Sequence, residues 1–156
     1  MDKTKELLLL SYFRRNARET LTKISKKTKI PVSTIFDKLK KYEGNIINKH
    51  TCLINFKKLG FNLKVNILFK LKKDNREDFQ EFLKKHSKVN SVFRINNGFD
   101  YLVEGIFRDI KELQDFGDET EKFDIADRKD FFILDDIKRE DFLSKEIHLE
   151  LIGLNS

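Results

Sequence analysis

The chain has 156 residues, of which 39% are hydrophobic, with 15 Phe among them, and 37% are charged; it suits one ordinary domain or two small ones and is too apolar and periodic for disorder. Its single cysteine, Cys52, excludes an internal disulfide and a multi-cysteine metal site, and its longest apolar run, Leu7 to Leu10, falls far short of the roughly 20 residues that span a bilayer. Charge is divided unevenly: Met1 to Lys58 holds 15 Lys+Arg against 5 Asp+Glu, and Leu59 to Ser156 holds 17 against 21, which implies a polyanion-binding module beside one with another task.

From Glu6 to Tyr42 apolar residues recur at helical spacing in three segments. The first, about Asp2 to Arg14, is led by Leu7, Leu8, Leu10 and Phe13. The second, about Thr20 to Thr28, takes Thr20 as N-cap and buries Leu21 and Ile24. The third, about Val32 to Tyr42, sets Ile35, Leu39 and Tyr42 on one face; Pro31 suits its start, where a missing N–H is harmless. Three helices this close together, with a short turn before the last, predict a helix-turn-helix.

After Gly44, Ile46 to Phe56 reads as one or two short strands, a wing or a hinge. Phe61, Leu63, Val65, Ile67, Phe69 and Leu71 then alternate with mostly polar residues, the clearest strand in the chain. A helix follows at about Arg76 to His86, with Phe79, Phe82 and Leu83 on one face, then a strand from Val89 to Ile95. Asn96-Asn97-Gly98 makes a hairpin turn into a strand from Tyr101 to Phe107. A helix at about Ile110 to Phe123 and a strand around Asp130 to Leu134 complete βαββαβ, a ferredoxin-like order. The expected fold is α+β: a winged helix-turn-helix over 1–47, a hinge strand over 48–60, the βαββαβ domain over 61–137 and a tail over 138–156. In that tail Ile147, Leu149 and Leu151 alternate as an added edge strand. The alternation of Phe61 to Leu71, with Leu102 and Ile106, is expected to give the sheet a second apolar face that a second copy covers.

A helix lying in the major groove presents its N-terminal residues to base edges. Here these are Ser33, Thr34, Asp37 and Lys38, with Lys41 a turn further on. Lys38 can pair with guanine and Asp37 can accept from cytosine; the plainer roles are helix capping for Ser33 or Thr34 and an ion pair with Lys41 for Asp37. Lys23, Lys26, Lys27, Lys29, Arg14, Arg15 and Arg18 surround the same module as phosphate contacts or as a solvated face. No catalytic constellation stands out. His86 reads as capping the last carbonyls of its helix, Cys52 as a small buried hydrophobe, and Asp115, Asp118, Glu119 and Glu121 as a charged outer face. Phe79, Phe82, Phe107, Phe116 and Phe123 are expected in the core. Asp100, opening a hairpin strand beside Gly98, either binds an effector's amino group or fixes the turn. No cofactor, metal or membrane contact is expected, and the N-terminus lacks the pattern of a signal peptide, so a cytoplasmic location is expected.

In order, the segments LTKISKKTKIPVSTIFDKLKKYEGNII, INFKKLGF and VNSVFRINNGFDYLVEGIFRD resemble the Lrp/AsnC (feast/famine) family of prokaryotic transcription regulators over roughly 4–137. The chain departs from the family's usual pattern in carrying Asp37 where an arginine is common, a shorter stretch from Tyr42 to Ile47, and Asn97-Gly98 at a turn that is often Gly-Asp. The resemblance implies a regulator that reads double-stranded DNA as a homodimer, tetramer or octamer. It also implies an amino-acid-like effector near Asn97, Gly98 and Asp100. A sirohaem decarboxylase shares a similar two-module layout, and a sensor or interaction module that no longer reads DNA is a further alternative.

Overall fold

A computed structural model describes residues 2–72 and 75–145. They form two compact units, one from the residues up to Leu53 together with the segment from Ile137, the other from Ile54–Asp136. No helix among the described residues is long and apolar enough to cross a membrane. The edge strand expected around Ile147 to Leu151 lies outside the described residues.

The first unit holds α1 (Lys3–Arg15), α2 (Leu21–Thr28) and α3 (Val32–Tyr42). Each start follows a local rule. Asp2 caps α1 by accepting from the Thr4 amide, Thr20 caps α2 by accepting from the Lys23 amide, and Pro31 precedes α3. Pro31 brings no side-chain cap, and the capping role for Ser33 or Thr34 is not formed. Lys29 ends α2 in the left-handed region at φ 60°, which turns the chain sharply into Ile30 and α3. Leu9, Ile24 and Ile35 are wholly buried between the three helices, with Phe13 and Ile30 beside them. The segment after Ile137 returns to this unit, where the Arg14 guanidinium pairs with Glu140 and donates to the Phe142 carbonyl.

The strands expected between Ile46 and Phe56 are absent. The chain turns at Gly44, closes a single bridge between Glu43 and Ile47, and enters a short 3-10 turn over Phe56–Leu59. Leu53 and Ile54 stay exposed. An apolar run has strand propensity but needs a partner edge, and none of the described strands lies beside this one. Neither a wing nor a hinge strand forms.

The second unit has β1 (Leu63–Leu71), α4 (Arg76–Lys85), β2 (Val89–Arg94), β3 (Tyr101–Phe107), α5 (Ile110–Thr120) and β4 (Ile125–Phe132). The strands form one antiparallel sheet in the order β2-β3-β1-β4, the βαββαβ arrangement expected. The last strand starts earlier than the expected Asp130. Asp124, at φ 53°, ends a 3-10 turn over Glu121–Phe123, and its carbonyl accepts from the Lys72 amide, so that Ile125 already pairs with Leu71. Few apolar residues mark this edge strand, which hid its start. Val65, Ile67 and Phe69 lie under Phe79 and Leu83 of α4 and Leu113 and Phe116 of α5. Phe69 and Phe79 meet edge to face, centroids 5.1 Å apart.

Because β1 sends Leu63, Val65, Ile67, Phe69 and Leu71 to the helix side, its alternation does not furnish the second sheet face. That face carries Leu68 opposite Leu102, with Phe93 next to Leu102 on β2 and Phe131 on β4. Phe93 and Phe131 are both exposed, and Lys64 and Glu104 lie among them.

Candidate nucleic-acid interface

Helix α3 divides by period. Ile35 and Tyr42 point into the core, and the opposite side exposes Val32, Ser33, Phe36, Asp37, Lys40 and Lys41. Thr34 and Lys38 lie half-buried between these faces. The Lys38 ammonium turns towards α1 and pairs with the Glu6 carboxylate. That bond holds the Glu6 carboxyl below its ordinary range and raises the Lys38 ammonium. Burial pushes the nearby Tyr42 hydroxyl up. Lys38 is therefore an internal tether in this structure and is not presented as the guanine-reading side chain expected. No ion pair joins Asp37 to Lys41 among the described residues, which leaves both at the surface.

The surrounding cations separate in the same way. Lys27 pairs with Glu19 at 2.8 Å and Arg15 lies 3.9 Å from the same carboxylate. Arg15 also covers the Tyr12 ring at 4.7 Å. The Lys27 bond holds Glu19 below its usual range. With Arg14 bound to Glu140, four of the ten expected DNA-facing residues (Arg14, Arg15, Lys27 and Lys38) already have carboxylate partners. Lys23, Lys26 and Lys41, with Ser33 and Asp37, are exposed. Three residues of this face are absent from the sequence-based expectation, Val32, Phe36 and Lys40, and the Lys40 ammonium lies 4.5 Å from the Phe36 ring centroid. Their signal was present: Val32, Phe36 and Lys40 recur at i, i+4, i+8, offset from the core stripe.

In the other unit Asn97 and Gly98 both take positive φ, 64° and 90°, as a tight hairpin turn of mirror-image type requires. Asp100 fixes the hairpin on β1: its Oδ2 accepts from the Leu71 amide at 2.8 Å, and its backbone N–H donates to the Phe69 carbonyl at 2.8 Å. Its Oδ1 faces the Arg76 guanidinium at 3.2 Å. The turn-fixing role is thus formed, and both carboxylate oxygens are engaged.

Two smaller expectations are corrected. Cys52 is exposed, since the strand that was to bury it does not form. The His86 ring leaves the helix carbonyls alone, accepting at Nδ1 from the Lys88 amide and placing Nε2 3.2 Å from Glu119, while it packs on Phe116. The carboxylates of α5 are on its outer face and the five named Phe belong to the core or pack on it, as expected. No group of His, Cys, Asp or Glu suited to a metal occurs among the described residues.

The model of the Lrp/AsnC ligand binding domain matches residues 64–142, half of the chain. The chain belongs to the Lrp/AsnC family. Lrp/AsnC membership agrees with its relatives. An uncharacterized HTH-type transcriptional regulator of Pyrococcus furiosus is 24% identical over 135 residues, 86% of this chain and 91% of that protein. The HTH-type transcriptional regulator FL11 of the same organism is 27% identical over 111 residues, covering 70% of this chain and 74% of its own length. Among solved structures, a Neisseria meningitidis transcriptional regulator in complex with L-Met superposes with a TM-score of 0.79 at 26% identity, over 89% of this chain and 93% of that one. Escherichia coli AsnC shares the fold, with a TM-score of 0.77 at 17% identity over 89% and 96% of the two chains.

Proposed function

We propose that this Lrp/AsnC protein is a transcription regulator that acts in the cytoplasm by binding double-stranded DNA rather than by catalysis. In this reading α2 and α3 are a helix-turn-helix without a strand wing. The carrying observation is the outer face of α3: Ser33, Phe36, Asp37, Lys40 and Lys41 are exposed on a helix whose other side is core, with Lys23 and Lys26 exposed on α2. Such a face places side chains at base edges and ammonium groups at phosphates. The names of the relatives support the same reading.

The DNA-bound form is a homodimer, or a tetramer or octamer built from it. Leu68, Leu102, Phe93 and Phe131 leave an apolar patch on a sheet that carries helices on one side only, and a second copy buries it. The Neisseria relative was solved with L-Met, which supports an amino-acid-like effector here near the 97–100 hairpin. Asp100 serves that site by holding the hairpin, since its oxygens are already bonded. In vitro selection on random duplexes tests the whole reading. Enriched paired half-sites at a fixed spacing are expected, and no enrichment over bulk sequence overturns it.

A further inference from the structure

We infer that Val32 and Phe36 read the C5-methyl groups of thymine, so that each half-site requires thymine at one or two positions facing the N-terminal half of α3. This rests on the groove-binding reading above. Val32 is 41% and Phe36 46% exposed, one turn apart on the same outward face. Ser33, Asp37 and Lys40, which flank them, are all polar and exposed. Neither apolar side chain offers a hydrogen bond. Pressed against guanine, adenine or cytosine edges they would strip water from donors and acceptors and replace it with nothing, which is unfavourable. The thymine methyl is the one apolar group on the major-groove edges, and Phe is among the side chains that match it.

The occupant follows from charge. The Lys40 ammonium stands over the Phe36 ring, and Lys41, Lys23 and Lys26 are exposed on the same two helices. An apolar pair with one ammonium on its ring, on a pair of helices that expose further cations, suits a polyanion with apolar points on its surface better than it suits an apolar protein partner.

The test uses the full chain and the duplex site recovered by selection, with each thymine replaced in turn by deoxyuridine, which keeps base pairing and deletes only the methyl group. At one or two positions per half-site the natural protein should bind about fourfold more weakly to the uracil duplex, the worth of one buried methyl group. The Phe36→Ala variant should bind thymine and uracil duplexes equally, while Phe36→Leu keeps part of the preference. All three should show the same helical content and the same cooperative unfolding, which checks folding, and salt-dependent binding of bulk duplex by the natural protein checks the parent reading separately. A natural protein indifferent to every thymine-to-uracil exchange overturns the inference, as does a Phe36→Ala protein that still discriminates. Change only in oligomeric state on Phe36→Ala overturns it in favour of a protein contact. Absence of any bulk-duplex binding overturns the parent reading and this one with it.

Discussion

The Lys38 ammonium of α3 is tied to the Glu6 carboxylate of α1, so a lysine expected from the sequence to face guanine instead joins two helices. The folded Glu6 carboxyl lies below its ordinary 4.5, so its stabilising contribution is complete above that value and is lost as pH falls through the lowered one. The raised Lys38 contributes below its ordinary 10.5 and loses its effect as pH rises through the higher value. Melting temperatures of the natural protein and Glu6→Gln should differ, natural protein higher, across the neutral range. That difference should shrink towards pH 3; a constant gap would contradict the assignment.

The same pair predicts an inversion of roles in DNA binding. Glu6→Gln frees the Lys38 ammonium and should steepen the salt dependence of non-specific duplex binding. Lys38→Ala should lower stability while leaving that dependence nearly unchanged. Lys40→Ala/Lys41→Ala should reduce the slope of log K against log salt by about 2, roughly one for each ammonium withdrawn from a phosphate. Retardation assays at several salt concentrations distinguish these outcomes.

Asp100 accepts from the Leu71 amide and faces Arg76. Replacement by Ala leaves a partly buried backbone donor without its acceptor and should destabilise the sheet unit by about 1–3 kcal/mol. Urea titration reads this. If stability is unchanged while response to an amino acid is lost, Asp100 is an effector ligand and not a hairpin brace.

Gly105 in β3 lies under its neighbour Phe107, whose ring atoms Cε2 and Cζ would stand 2.5 and 2.6 Å from an added Cβ. Phe107 is wholly buried and cannot swing away freely. Gly105→Ala should therefore cost about 1–3 kcal/mol, the usual penalty for overfilling a packed site, measured by thermal or urea unfolding. A neutral substitution would mean that the ring has room to move.

Leu68 and Leu102 sit opposite one another on the open face of the sheet. A Leu102→Glu substitution puts a charge into the proposed subunit interface and should yield monomers in sedimentation equilibrium with the helical content intact. Dimers of undiminished strength would place the interface elsewhere.

Much of this molecule was legible in the amino-acid order alone. Caps and period set α1, α2 and α3, since Thr20, Pro31 and the spacing of Ile35, Leu39 and Tyr42 act within a few residues of themselves. Alternation set β1, and Asn97-Gly98 set the hairpin, for the same local reason. What only the tertiary structure decided depends on partners distant in sequence. Ile46 to Phe56 has the composition of a strand but no edge to join, and Cys52 is exposed as a result. The β4 start waits on pairing with Leu71, and the fate of each cation waits on where a carboxylate falls. Lys38, Lys27 and Arg14 are claimed by Glu6, Glu19 and Glu140, while Lys40 and Lys41 of the same helix as Lys38 stay at the surface. A lysine's charge is written in the sequence, but whether it faces phosphate or an internal acid is fixed by packing, because ion pairs form across space and not along the chain.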